Sequence, residues 1–274
     1  MVDEHGAADT AVSGLVDLAR YPIADLESPQ ARALIEAGRA RLERTGICSL
    51  PGFLRPGVAA RLAVEAAALL PLAHRQDHED IAYGRYRDRL DSFPPDHPVR
   101  HTSPFRMNLV AYDSMPEACG IKRIYHWDGL TRLIGALTGN ASLYRTADPL
   151  LSCNISVLQP GDTHGWHVDG NDFSVTLLLQ EALAGGRFEY APVASPEDEN
   201  FEAIAAIYRG ERERVVTPEL TAGTLGIFRG RWSLHHVTPV EGAVTRLQVI
   251  FSYHVEPGLV FPEATRRNYV GRAA

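Results

Sequence analysis

Two hydrophobic textures divide the chain. Up to about residue 140 the apolar residues recur mainly at helical spacing; beyond about residue 142 they fall into short runs parted by turns. In the first part, Ser28 and Pro29 read as an N-cap followed by proline at the first helical position. Ala31, Leu34, Ile35 and Leu42 keep helical spacing, and Gly46 supplies a C-terminal stop. Residues 47–50 read as a short strand ended by Pro51-Gly52. A second helix starts near Pro56 and carries Val58, Leu62, Leu69 and Leu70 on one side. Leu130, Leu133, Ile134 and Leu137 mark a third, closed by Gly139-Asn140. Residues 76–104 are polar, rich in Asp, Arg and Pro and weakly periodic, which predicts a long loop or lid. Residues 1–12 read as a flexible tail.

In the second part, strands are predicted at 153–158, 174–180, 187–190, 214–217, 224–228, 235–240 and 246–254. Pro160-Gly161, Gly185-Gly186, Ala222-Gly223 and Glu241-Gly242 punctuate them, and residues 197–210 read as a surface helix. Helices first and many short strands after predict an α+β chain. Its core is a double-stranded β-helix, a cupin-like jelly roll, with the N-terminal helices packed on one sheet. With no internal repeat and no composition break, residues 1–274 read as a single domain, helical over 13–140 and jelly roll over 141–274.

Composition narrows the partners. Hydrophobic residues make up 45% and charged residues 22%, the balance of a soluble globular protein. The net charge is −7, from 27 basic and 34 acidic residues, with no Lys/Arg run. Both facts speak against nucleic acid or an anionic membrane and for a small-molecule substrate; a homodimer stays open. No apolar stretch approaches the roughly 18 residues a membrane span needs. The acidic N-terminus does not read as a signal peptide, and Cys48, Cys119 and Cys153 lack metal-site or disulfide spacing. A cytoplasmic location is therefore expected.

The chemistry centres on Thr163-His164-Gly165-Trp166-His167-Val168-Asp169-Gly170. On a strand, residues two apart point the same way, so His167 and Asp169 can share the inner face while Val168 takes the other. An imidazole and a carboxylate on one face are two thirds of a facial triad for non-haem Fe(II), although a lone H-x-D also suits a surface turn with a solvated Asp. His235, more than sixty residues later, stands where the third ligand is needed. Eleven residues beyond it Arg246 opens a strand in which Leu247, Val249, Phe251 and Tyr253 share one face. Arg246, Gln248, Ile250 and Ser252 share the other. A buried Arg calls for a bidentate anion, either a structural carboxylate or a bound dicarboxylate.

With H-x-D, a distant His and a following Arg in this order, the chain resembles the Fe(II)/2-oxoglutarate-dependent oxygenases. The segments TLLLQ (176–180), GGRFEY (185–190), GTLGIFRG (223–230) and HHVTPV (235–240) resemble a narrower branch. That branch contains free-amino-acid radical halogenases and related amino-acid hydroxylases. The resemblance implies a metal triad of His167, Asp169 and His235, and 2-oxoglutarate and O₂ as cosubstrates. Arg246 and Ser252 are the candidate cosubstrate contacts, and Asn154 and Ser156, on the preceding strand, are candidate cosubstrate or substrate contacts. With His235 as the ligand, strand alternation leaves His236 facing outward.

The branch halogenases carry Gly where Asp169 stands, which opens a position for chloride; Asp169 therefore implies hydroxylation of a free amino acid or a similar metabolite. His164, Asn171, Asp172, Arg106 and Arg272 are the candidate substrate contacts, although His164 also suits a loop histidine at the barrel mouth and Arg106 and Arg272 also suit surface positions. The run Gly170-Asn171-Asp172 does not match a lysine-binding set. Trp166 and Trp232, beside the ligand histidines, read as packing. Desaturation, cyclisation and halogenation are the alternative outcomes on this scaffold. A non-oxidative cupin enzyme or an iron-free binding protein would be the alternative outside it.

Overall fold

The computed structural model describes residues 12–194 and 198–274. Helix α1, Pro29–Thr45, starts where Ser28 accepts a hydrogen bond from the Ala31 N–H and ends at Gly46, whose φ of 77° is the left-handed stop that a residue with a Cβ resists. It leads into β1, Ile47–Leu50. Helix α2 spans Val58–Ala67. Helices α3, Gly120–His126, and α4, Asp128–Thr138, are separated by Trp127, whose ψ of 119° breaks the helical run.

The strands after β1 are β2 His74–Ile81, β3 Thr102–Val110, β4 Tyr144–Arg145, β5 Cys153–Leu158 and β6 Thr163–His167. They continue as β7 Ser174–Gln180, β8 Ala184–Gly185, β9 Phe188–Ala191, β10 Leu225–Phe228 and β11 Leu234–Val237. The last are β12 Val240–Glu241, β13 Arg246–Phe251 and β14 Tyr253–His254. Helix α5, Phe201–Tyr208, follows β9, and helix α6, Glu263–Val270, follows β14.

The main sheet runs β1-β10-β7-β13-β5-β3-β6-β11-β9, with β2 paired to β3. Strand β3 is the seam. Its C-terminal end, Asn108 to Val110, pairs with Ile155 to Val157 of β5, while Phe105 and Arg106 pair with His164 and Thr163 of β6. Sharing one strand between two others curls the antiparallel sheet over itself, which gives the jelly roll two facing walls. At Gly165 a side chain would meet the backbone of β3, since a Cβ there would lie 2.7 Å from Pro104 O.

The period-two pattern decides what each wall faces. Leu247, Val249 and Phe251 of β13 join Leu177, Ile155 and Val157 in a dry core. Leu62, Leu130, Leu133 and Tyr125 of the helices close that core from outside. The opposite face of the same strands carries Arg246, Gln248, Asn154 and Ser156 into an interior cavity. The helices thus cover one sheet and leave the inside of the roll to the site.

Three expectations change. Residues 76–104 are not one long loop: they begin in β2 and end in β3, with short 3₁₀ turns at Gly84–Ser92 and Pro98–Arg100 between. Residues 214–217 form no strand; Val216 only bridges Tyr190. Helices α3 and α6 were not anticipated. Of the expected tail, residues 1–11 lie outside the described residues, and Val12 is buried. Among the described residues no helix is long and apolar enough to cross a membrane.

Candidate metal centre

Strand β6 ends at His167, and Asp169 follows two residues on, facing the same cavity. Val168 points the other way, into a cluster with Tyr83, Ala191 and Leu234. His235 of β11 is the register partner of His167, and their ring centroids lie 4.0 Å apart. Asp169 Oδ1 is 3.5 Å from His235 Nε2 and 3.7 Å from His167 Nε2. The three ligand atoms fall within 4.8 Å of one another, the sole such group among the described residues.

Backbone carbonyls set the tautomers. His167 Nδ1 lies 2.7 Å from Gly165 O, and His235 Nδ1 lies 2.9 Å from Ser233 O. A carbonyl can only accept, so each Nδ1 carries the hydrogen and each Nε2 presents a lone pair inward. Burial holds the His167 imidazole well below its usual pKa, with His164 and His235 adding to the effect. Burial alone would raise the Asp169 carboxyl. The neighbouring His235 and His167 and the Ser174 hydroxyl outweigh it and hold Asp169 below the ordinary carboxylate range. The result is two imidazoles and one carboxylate aimed at one point.

The cavity beyond them has a volume of about 550 Å³. Arg246 lies on its wall, only 3% exposed, and burial pushes its guanidinium down to about 10. Its Nη2 donates to Gln248 Oε1, yet no described carboxylate approaches it within ion-pair distance. This buried cation is hydrogen-bonded to an amide and feels the Glu181 carboxylate only from beyond ion-pair distance, which leaves room for a bound anion that a dicarboxylate would supply.

A sequence model of the halogenase D family (HalD) matches residues 30–260. The chain belongs to that family. Its fold is shared with several solved structures. One is an oxidoreductase of the 2OG-Fe(II) oxygenase family from Burkholderia pseudomallei, at TM-score 0.50 and 18% identity over 82% of this chain and 92% of that one. A second is the epimerase SnoN of nogalamycin biosynthesis in complex with Fe³⁺, alpha ketoglutarate and nogalamycin RO, at TM-score 0.54 and 18% identity over 81% and 84%. A third is a Trichoplax adhaerens prolyl hydroxylase with a peptide fragment of hypoxia inducible factor, at TM-score 0.54 and 14% identity over 84% and 94%. No curated protein sequence matches the chain. The donor set fits Fe(II), which takes two imidazoles and a carboxylate on one face. His167, Asp169 and His235 of this HalD-family chain would hold Fe(II), and Arg246 would hold 2-oxoglutarate beside it.

The remaining expected residues of the HalD-family chain divide by strand geometry. Asn154, Ser156 and Ser252 line the cavity with Arg246. Asn154 Nδ2 donates to Leu150 O at 2.9 Å and Ser252 Oγ to Leu151 O at 2.8 Å, so both also tie down the strand ends. His164 lines the cavity too, stacked on His167 with centroids 3.9 Å apart; burial pushes its pKa down to about 3, which keeps it neutral.

Asn171 reaches the cavity mouth, whereas Asp172 is exposed and stands 3.7 Å from Arg231 Nε. Arg106 and Arg272 lie outside the cavity. The alternation of β3 turns Phe105 and Met107 inward and Arg106 outward, where its Nε is 3.4 Å from Asp77. Arg272 pairs with Asp113 at 2.5 Å. His236 faces away from the cavity: it stacks on Trp166 at 3.7 Å and its Nε2 lies 2.7 Å from Glu189 Oε2.

Several lining residues escaped sequence reasoning. Gln76, His78 and Asp80 of β2 line the cavity at period two, a signal present in the sequence but hidden in a stretch with no apolar face. Tyr269 of α6 and Arg231 complete the mouth, and neither carries a sequence signal of its own.

Proposed function

We propose that this chain is a hydroxylase: with Fe(II), 2-oxoglutarate and O₂ it converts a C–H bond of a free amino acid or amino-acid-like metabolite to C–OH, releasing succinate and CO₂. The observation that carries the reading is Asp169 Oδ1, 3.5 and 3.7 Å from the two histidine Nε2 atoms. A carboxylate there takes the coordination position that the resembling halogenases leave to chloride. Family membership favours halogenation as the second reading, and the occupied position argues against it.

The residues divide the work. When bound, the metal and its cosubstrate supply the oxidising chemistry. His167, Asp169 and His235 would hold the ion through two imidazole nitrogens and one carboxylate oxygen. Arg246, now hydrogen-bonded to the Gln248 amide, would bind the distal carboxylate of 2-oxoglutarate and so orient it. Phe105, Phe188, Phe228 and Val237 form apolar wall around the triad and exclude water. Neutral His164 can donate or accept beside the substrate without adding charge. A cavity of about 550 Å³ suits a small molecule rather than a polymer. Three free thiols support a reducing compartment, the cytoplasm.

The test is a succinate-release screen over amino acids and small metabolites, with mass spectrometry of each hit. Succinate formation should rise above the substrate-free background for one compound or a small related set, with that compound gaining one oxygen. Succinate absent throughout, or a hit that leaves its carbon skeleton unoxidised, would contradict the reading.

A further inference from the structure

Asp169 sits in a socket built by Gly230 and Ser174, neither of which is one of the three ligands. Its backbone N–H donates to Gly230 O at 3.1 Å, which draws it against the 3₁₀ turn Gly230–Trp232 that precedes β11. A Cβ on Gly230 would overlap Asp169 Oδ2 and lie 2.6 Å from its Cγ. Gly230 is not among the glycines with positive φ, so the backbone does not demand glycine there; the carboxylate does. From the other side Ser174, the first residue of β7, donates its hydroxyl to the same Oδ2. Oδ2 is therefore held between a hydroxyl and a bare Cα, and Oδ1 is the oxygen turned to both histidines.

The Cβ–Cγ torsion of an Asp is broad and roughly two-fold, so a carboxylate without such a socket would swing. It could then exchange its oxygens or chelate with both. We propose that Ser174 and Gly230 are positioning residues that make Asp169 a one-oxygen ligand. Two-oxygen binding would consume a position that the cosubstrate or O₂ needs. Ser174 fixes the torsion and Gly230 supplies the room, so a carboxylate at position 169 requires both. The inference rests on Asp169 being a metal ligand and is independent of which product forms.

Metal-free protein titrated with Co(II) tests it, read by affinity and by the visible absorption of the bound ion. Ser174→Ala should weaken Co(II) binding roughly 10- to 100-fold, the usual cost of losing a hydrogen bond to a ligand, and alter the visible spectrum. Ser174→Thr should restore both. Gly230→Ala should lower the metal-free melting temperature in the wild-type background and leave it nearly unchanged in an Asp169→Gly background, where the overlapping carboxylate is gone. Unchanged Co(II) affinity and spectrum in Ser174→Ala would overturn the role of Ser174. An equal loss of melting temperature in both backgrounds would overturn that of Gly230. Asp169→Gly alone separates the two levels: Co(II) binding as tight as wild type would remove the ligand reading itself, whereas weak binding there with an unaffected Ser174→Ala removes only the socket.

Discussion

His167 and His235 face each other across β6 and β11 with ring centroids 4.0 Å apart, as paired residues of two adjacent strands. The next residue, His236, is turned through the sheet and stacks on Trp166 instead. One strand step therefore separates a histidine that aims a lone pair into the cavity from one that braces the outer wall.

That step gives the first prediction. His235→Ala should abolish Fe(II) binding, since it removes one of three donors. His236→Ala should largely spare it, at some cost in stability, because Glu189 would keep Arg212 but lose its imidazole partner. Anaerobic equilibrium titration with Fe(II) reads both; the reverse order of effects would contradict the assignment.

Arg246 gives the second. Removing a buried charge-assisted contact to a carboxylate costs about 1.5–3 kcal/mol, roughly a ten- to hundredfold loss of affinity. Arg246→Ala should raise the 2-oxoglutarate concentration at half-saturation by that factor, followed anaerobically through the visible band that develops when the keto acid joins Fe(II). A half-saturation point equal to wild type would mean that another group anchors the distal carboxylate.

The parts of this site that were legible in the sequence are those whose chemistry repeats along the chain. Ser28, Pro29 and Gly46 bound α1 as their capping chemistry predicts. Strands β5, β7 and β13 show in the sequence because one face of each packs under the helices and must be apolar. His167 and Asp169 were legible as a pair two apart, and His235 through the order of H-x-D, distant His and following Arg that the resemblance rests on. Strand β2 was not, because Gln76, His78 and Asp80 face a polar cavity while Arg75, Asp77 and Glu79 face water. Neither side carries the hydrophobic signal that marks a strand. Helix α6 hid for the same reason, with Val270 its only buried residue. Gly230 and Ser174 could not be read at all: their meaning lies in a contact with Asp169 that only the fold creates.

The third prediction concerns acid. Burial, with Arg145 next in weight, pushes the His126 imidazole below its ordinary 6.5, and its Nε2 lies 2.7 Å from the Tyr112 hydroxyl. Glu117 opposes the shift and Lys122 adds to it. A histidine depressed in the folded state binds fewer protons than in the unfolded chain, so the stability it contributes above pH 6.5 is lost as pH falls through its folded-state value. Urea midpoints should drop from about pH 7.5 to about pH 5.5, and His126→Gln should make that drop shallower. A slope identical to wild type would rule out His126 as a contributor.

The product formed in high chloride separates hydroxylation from halogenation in this HalD-family chain. With Asp169 on the metal, a chloride ion and a carboxylate would compete for one position and one negative charge, so the substrate radical should capture oxygen. The mass spectrum of a turned-over substrate in saturating sodium chloride should show the gain of one oxygen and no chlorine isotope pattern. A chlorinated product from the unaltered protein would contradict both the hydroxylation and the place of Asp169 as a ligand.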